Sequence, residues 1–231
     1  MSTNVSVPEP VVYLTVHGIG APERDVSSAE SQTWISEQQF EQLLDAVGTR
    51  DDVRITFDDG NTSDVTIALP RLIERGLTAD FFVLAGMLGQ PGWLSADHVR
   101  QLDAAGMTIG SHGWAHVDWR RLPDAAGATQ EFGDAPTVLG ELIGRTVSTV
   151  AIPFGSYDRR VLSGLRRAGA TCVYTSDGGR ARPGTWLRPR NSARHDLDAR
   201  WLAGVLDERS GVRGDAVRLA KRTVKRWRGR P

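Results

Sequence analysis

Arg54-Ile-Thr-Phe-Asp-Asp-Gly60 is the stretch on which the reading of this chain turns. Val53 to Phe57 form an apolar run with β-branched and aromatic residues, which predicts a strand, and the run ends in two adjacent carboxylates and a glycine. Adjacent strand residues face opposite sides of a sheet. Asp58 and Asp59 therefore turn toward one site only if the strand breaks at Asp58, and Gly60 allows such a break. Taken alone, the segment reads equally well as a polar turn, because Asp-Gly is common turn chemistry.

The same rhythm of strand, turn and helix runs outward in both directions. Val11 to Val16 predict a strand, and Trp34 to Val47 a helix with Ser36 and Gln39 at capping-box spacing and Gly48 as its stop. Ser63 to Arg75 read as a helix closed by Gly76, with Pro70 forcing a kink or a late start, and Ala79 to Ala85 as the next strand. Ser95 caps a helix through Ala105, and Met107 to Gly110 make a short strand. Val147 to Ile152, a helix over Asp158 to Ala168, and Ala170 to Thr175 continue the pattern. Five or six such units require parallel strands with right-handed crossovers. Their number and the chain length suit one closed or nearly closed (β/α) barrel, or failing that an open doubly wound sheet. In either architecture ligands sit beyond the carboxyl ends of the strands.

With 231 residues, 40% of them hydrophobic, the chain can bury a sizeable core. It has no apolar run near the ~20 residues that cross a bilayer. Its first twenty residues lack a charged n-region and a long apolar h-region, so the expected location is cytoplasmic. Cys172 has no partner for a disulfide and reads as a small buried hydrophobe. Zero net charge hides an asymmetry: residues 209–231 hold nine basic residues and one acidic residue, leaving 19 basic and 27 acidic before them. We therefore divide the chain into a barrel over residues 1–208 and a basic tail over 209–231. A globally basic nucleic-acid binder is excluded. In the tail, Ala216, Val217, Ala220, Val224 and Trp227 form a helical stripe flanked by basic residues, the pattern either of a peripheral membrane contact or of a terminal helix docked on the barrel.

Just past another strand end lies His112-Gly-Trp-Ala-His116. Two imidazoles at i and i+4 have metal-ligand spacing, although five histidines in a chain of this length will sometimes fall four apart. Combination with the acidic pair is more telling. Two imidazoles and one carboxylate at the ends of neighbouring parallel strands offer three ligands to a divalent ion, with a second carboxylate beside it, the composition of a hydrolytic metal site. Zinc is the default for that set, and cobalt, nickel or iron would accept the same donors.

With both segments in view, the chain resembles the polysaccharide deacetylases, the fourth carbohydrate esterase family. Thr56-Phe-Asp-Asp-Gly60 is similar to that family's first motif and Ser111-His-Gly-Trp-Ala-His116 to its second. The resemblance spans roughly residues 11 to 190 in motif order. It implies a distorted (β/α) barrel with about seven parallel strands, Asp58 as general base, and Asp59, His112 and His116 as metal ligands. It also implies N-deacetylation of an N-acetylated sugar in glycan or glycoconjugate biosynthesis. The third motif matches at Pro153, Phe154 and Gly155, but Ala151 stands where the family has an arginine that steadies the base; Arg188 or Arg190 is expected to replace that contact. Phe154 would add a backbone N–H for the oxyanion. Of the later motifs, Asp177 offers one carboxylate and Trp186 one aromatic wall. His195 is the one late histidine and a candidate for the family's general acid, but it precedes a helix and does not end an apolar strand, which is the pattern of a solvated loop histidine; His17, following the first strand, is the alternative acid or a substrate contact.

Sugar rings stack on indoles, and we expect Trp114, held between the two histidines, to serve that purpose, with Trp93, Trp119 and Trp186 also near strand ends. Three other readings of the same residues are a deformylase or other amide hydrolase on the same scaffold, a catalytically silent carbohydrate-binding barrel, and an adaptor for anionic surfaces working through the tail.

Overall fold

The computed structural model describes residues 9–48 and 50–207. The basic tail, with Trp227 and its flanking arginines, lies outside the described residues. Eleven strands follow in chain order: β1 (Val11–Val16), β2 (Gly18–Ile19), β3 (Trp34–Ile35), β4 (Val53–Asp59), β5 (Ala79–Val83), β6 (Thr108–Ser111), β7 (Thr149–Ala151), β8 (Cys172–Thr175), β9 (Arg180–Ala181), β10 (Leu187–Pro189) and β11 (Asn191–Ser192). In space the order is β10, β8, β7, β6, β5, β4, β1, β11. Six strands, β1 and β4 to β8, pair in parallel with their neighbours, and residues 187–192 close the ring. The first half of that segment runs parallel to β8 and the second half parallel to β1, with Arg190 at the switch. Arg190 N–H donates to Thr175 C=O on one side and Ala193 N–H to Thr15 C=O on the other. The result is a barrel of seven parallel positions, as expected, with β9 antiparallel to β1 and β2–β3 as a separate pair.

Alternation along the strands divides the side chains into two layers. Val12, Leu14, Ile55, Phe57, Phe81, Val83 and Ile109 point outward and are buried under the helices, against Phe40, Leu44, Leu72, Val99, Leu102 and Leu139. Phe57 stacks on Phe81 with ring centroids 4.5 Å apart. Each such side chain contributes roughly 1.5–3 kcal/mol by leaving water. The opposite faces fill the barrel with Tyr13, Phe82, Ala151, Cys172 and Tyr174, and with polar groups that bond one another. Arg188 Nη1 donates to the hydroxyls of Tyr13 and Tyr174 at 3.0 and 3.1 Å, and Tyr174 donates to Asp80 at 3.2 Å. Tyr13 meets Tyr174 edge to face.

The helices start and stop where local chemistry directs, with differences in detail. Trp34 and Ile35 are strand, not helix; the helix is Glu37–Val47, behind the Ser36–Gln39 capping box. Pro70 produces the late start: a π-helical turn over Asp64–Ala68 precedes the α-helix Leu69–Glu74. The stretch between His116 and Val147, for which the sequence pattern gave no element, folds into Ala125–Thr129, a π-helical turn over Gln130–Asp134, and Ala135–Ile143. No helix among the described residues is long and apolar enough to cross a membrane.

Candidate active site

Strand β4 does not break at Asp58. It pairs with β5 through Asp59, and the reversal comes at Asp59 itself, with φ 76°, followed by Gly60 at φ 86°. Asp58 keeps its inward orientation, while the left-handed backbone at Asp59 turns the second carboxylate, which strict alternation would send outward, to the same mouth. Only three described non-glycine residues have positive φ: Asp59, His116 and Phe154. All three line one cavity of about 790 Å³ at the carboxyl ends of the strands. Backbone strain of this kind persists only where the surroundings over-determine it, and it gathers at functional sites.

Asp58 is buried and gripped from the closing strand. Arg190 Nη1 and Nη2 donate to its two oxygens at 2.6 Å each, and Nη1 also donates to Thr56 Oγ1 at 3.1 Å. Burial alone would raise the Asp58 carboxyl, but the guanidinium overrides burial and holds it well below the usual carboxylate range. Of the two candidates for the contact missing at Ala151, the structure selects Arg190. Arg188 lies deeper in the barrel on the two tyrosines. Ala151 itself is fully buried in the cluster that contains Phe82 and Tyr174, and Arg190 lies 5.2 and 5.7 Å from those two rings.

Asp59 has the opposite environment. Its Oδ1 is buried with no hydrogen-bond donor among the described residues and lies 3.4 Å from Nε2 of both His112 and His116. Burial, with the Asp58 charge adding to it and His17 opposing, pushes its carboxyl up to about 6. His112 Nδ1 faces the Ala151 carbonyl at 3.0 Å. A carbonyl can only accept, so Nδ1 carries the proton and Nε2 presents its lone pair toward Asp59. Burial drives the His112 imidazole down to about 3 and lowers His116 as well, so both rings are neutral.

This donor set fits a divalent ion. One atom from each of Asp59, His112 and His116 lies within 4.8 Å of the others. A tetrahedral ion with bonds of about 2.0–2.1 Å separates its ligand atoms by about 3.4 Å, the spacing seen here between Asp59 and each ring. An orphaned acceptor oxygen facing the lone pair of His112 Nε2 is otherwise an unfavourable buried arrangement.

His17, Phe154, Gly155, Asp177 and Arg190 also line the cavity. Asp177 accepts from Tyr157 at 2.6 Å and Thr175 at 2.9 Å. Several residues singled out in the sequence do not line it. Pro153 is buried beneath its loop. Trp114 packs so closely on Gly86 that a Cβ there would fall 2.4 Å from its Nε1. His195 is exposed in a different groove, with its Nδ1 3.2 Å from Gln32 C=O. Trp93 lies under Arg24, Trp186 under Arg166, and Trp119 is fully buried, whereas Trp201 lines the cavity beside Val205, one helical turn on. Sequence reasoning missed Trp201, and Glu30, which also lines the cavity. No motif marks either one, because both are brought there by elements packed from the chain's two ends.

Known proteins share this architecture. The Streptococcus pyogenes deacetylase PplD, solved in complex with acetate, superposes with a TM-score of 0.73 at 19% identity, covering 86% of this chain and 98% of that one. IcaB from Ammonifex degensii gives 0.69 at 23% identity, covering 87% and 97%. A de-N-acetylase from Aggregatibacter actinomycetemcomitans gives 0.74 at 14%, covering 85% and 100%. At the sequence level, YxkH of Bacillus subtilis (strain 168), named for a polysaccharide deacetylase, is 25% identical over 129 residues, or 56% of this chain and 46% of its own, so the chain matches about half the length of that curated relative. The family model for polysaccharide deacetylase matches residues 46–173, which carry both the acidic pair and the histidine pair. By that match, over more than half its length, the chain belongs to the polysaccharide deacetylase family.

Proposed function

We propose that this chain is a metal-dependent hydrolase that removes the N-acetyl group from an N-acetylated sugar in a glycan or glycoconjugate. The observation that carries the proposal is the floor of the cavity: an arginine-gripped carboxylate, Asp58, adjoining three converging ligand groups on Asp59, His112 and His116. An amide resists water because attack builds charge on its carbonyl oxygen and because an amine leaves poorly. A divalent ion on the three ligands, zinc by the donor chemistry, would polarise the acyl carbonyl and lower the pKa of a water.

The chain's own residues supply the rest. Arg190 fixes the plane of Asp58 through both oxygens, and each oxygen keeps a lone pair to take the proton of the attacking water. Because the guanidinium holds the Asp58 carboxyl well below the usual carboxylate range, the base needs no prior deprotonation. The Phe154 N–H, on its strained loop, is the second contact for the oxyanion; one such donor is typically worth ~3 kcal/mol. His17 lines the cavity with a buried Nδ1 that has no partner among the described residues, and it is the acid for the departing amine in place of His195. Trp201, not Trp114, takes the sugar ring, with Val205 extending the apolar wall and Phe154 lining the same cavity.

The test is acetate release from N-acetylated glucosamine oligomers by the purified protein, with elemental analysis of wild type and His112→Ala. Stoichiometric metal in wild type, lost in the variant, together with acetate release, is expected. Formate release from the N-formylated counterparts with no acetate from the N-acetylated oligomers, or sugar binding with neither metal nor release, would overturn the proposal.

A further inference from the structure

One buried carboxylate plays no part in the chemistry above. Glu131 sits in the π-helical turn Gln130–Asp134, between two α-helices, and is almost fully buried. Its Oε2 accepts from Trp114 N–H at 2.8 Å and from Trp119 Nε1–H at 3.0 Å, and its Oε1 accepts from Ala115 N–H at 3.2 Å. Trp114 and Ala115 are residues of the loop between the two histidines. The loop in turn is shaped to receive this carboxylate: Gly113 has φ +87°, and a Cβ at that position would lie 2.2 Å from Glu131 Oε2. Only glycine both tolerates the conformation and leaves room for the oxygen.

We propose that Glu131 is a positioning residue that sets the His112–His116 loop in ligand geometry before any ion binds. The inference rests on reading the site as a metal centre. His116 sits in the left-handed region at φ 53°, a conformation that relaxes unless neighbouring atoms hold it. The two amides on its N-terminal side are bonded to a fixed carboxylate, and Trp119 locks that carboxylate from behind. A π-helical turn inserts one extra residue into a helix and re-aims the side chains it carries, which accounts for a glutamate pointing inward here.

Glu131→Gln keeps the shape but sets an NH2 group against an N–H donor, so at least one of the three bonds is lost. Metal-free protein, prepared by chelation, is titrated with Co2+ in competition with a chromophoric chelator, and the absorption spectrum of the Co2+ form is recorded. We expect Glu131→Gln to bind Co2+ about 10–100-fold more weakly, with an altered spectrum, while circular dichroism remains that of wild type. A folded variant with wild-type affinity and spectrum overturns the inference. Amide exchange in metal-free wild type gives a second arm that does not depend on a variant folding. Slow exchange at Trp114 and Ala115 is expected, and protection that appears only after Co2+ is added overturns the inference. If wild type binds no divalent ion, the metal reading and this inference fall together; if it binds normally and Glu131→Gln matches it, this inference alone falls.

Discussion

Asp58 and Asp59 are chain neighbours, equally buried, and their surroundings treat them in opposite ways. Asp58 is held ionised by two hydrogen bonds from a guanidinium 132 residues away in sequence. Asp59 has an oxygen with no donor among the described residues and a carboxyl pushed up to about 6, and it faces two imidazoles whose pKa values burial lowers. The same residue type at consecutive positions thus has a carboxyl held low by a guanidinium in one case and one pushed up by burial in the other, the division that the proposed base and ligand roles require. Identity alone does not assign the roles; the partner on the far side of the barrel does. The backbone reversal at Asp59 makes this possible, by bringing two different environments to bear on adjacent side chains.

The largest effect that would break the contrast comes from substituting each member in turn. Asp58→Asn should lower turnover by about 10³-fold while leaving metal content unchanged, since general base catalysis typically contributes 10²–10⁴-fold. Asp59→Asn should lose the metal and turnover together. Metal loss in Asp58→Asn, measured by elemental analysis, would erase the proposed division of labour. Next in size is Arg190→Met, which leaves a buried carboxylate unpaired. Chemical denaturation should show about 3–5 kcal/mol of lost stability. In wild type the Asp58 carboxyl is depressed, so the stability it contributes is present above the ordinary carboxylate range and lost progressively as pH falls from that range toward the depressed value. In Arg190→Met that carboxyl rises, and the acid limb of the kcat/KM pH profile should move to higher pH than in wild type.

His17→Gln tests the acid and should lower kcat by about 10²-fold with metal content intact; an equal loss in His195→Gln, with His17→Gln unaffected, would reverse the assignment made from the cavity lining. The smallest effect concerns Asp64, a buried carboxyl with no partner for either oxygen among the described residues, raised well above its ordinary value by burial and then by Asp59 and Asp58. A carboxyl raised in the folded state favours the fold below its ordinary range and costs stability as pH climbs above it. Asp64→Asn should therefore raise the metal-free Tm at pH 7.5 by about 3 °C, with the gap closing toward pH 4. A gap independent of pH would mean that burial of its charge is not the cause.

Several features were legible because they are local. The period-two run into Asp58, the Ser36–Gln39 cap, the glycine stops and the i, i+4 histidines are all short-range patterns, and the strands and most helices formed where those patterns lie. The third motif had lost its arginine at Ala151, and the sequence offered Arg188 and Arg190 as equals. They lie two residues apart on the closing segment 187–192, and only their depth in the barrel separates them, one on Tyr13 and Tyr174 and the other on Asp58. Trp114 was the natural sugar platform by its place between the ligands, yet the hydrogen bonds that hold the loop turn its ring onto Gly86. Glu131 had no pattern at all, since it acts as a lone glutamate from a turn whose register an extra residue shifts.

The sequence by itself determined the alternating strand and helix architecture, the residue types of the proposed metal centre and the likeness to a family, because hydrophobic period, capping and motif spacing act over a few residues. Tertiary structure alone decided which arginine grips Asp58, which histidine and which tryptophan share its cavity, and that the reversal falls at Asp59. Those outcomes depend on where a barrel closes and how deep each inward side chain sits. Ring closure joins positions more than a hundred residues apart, through contacts that no local propensity encodes.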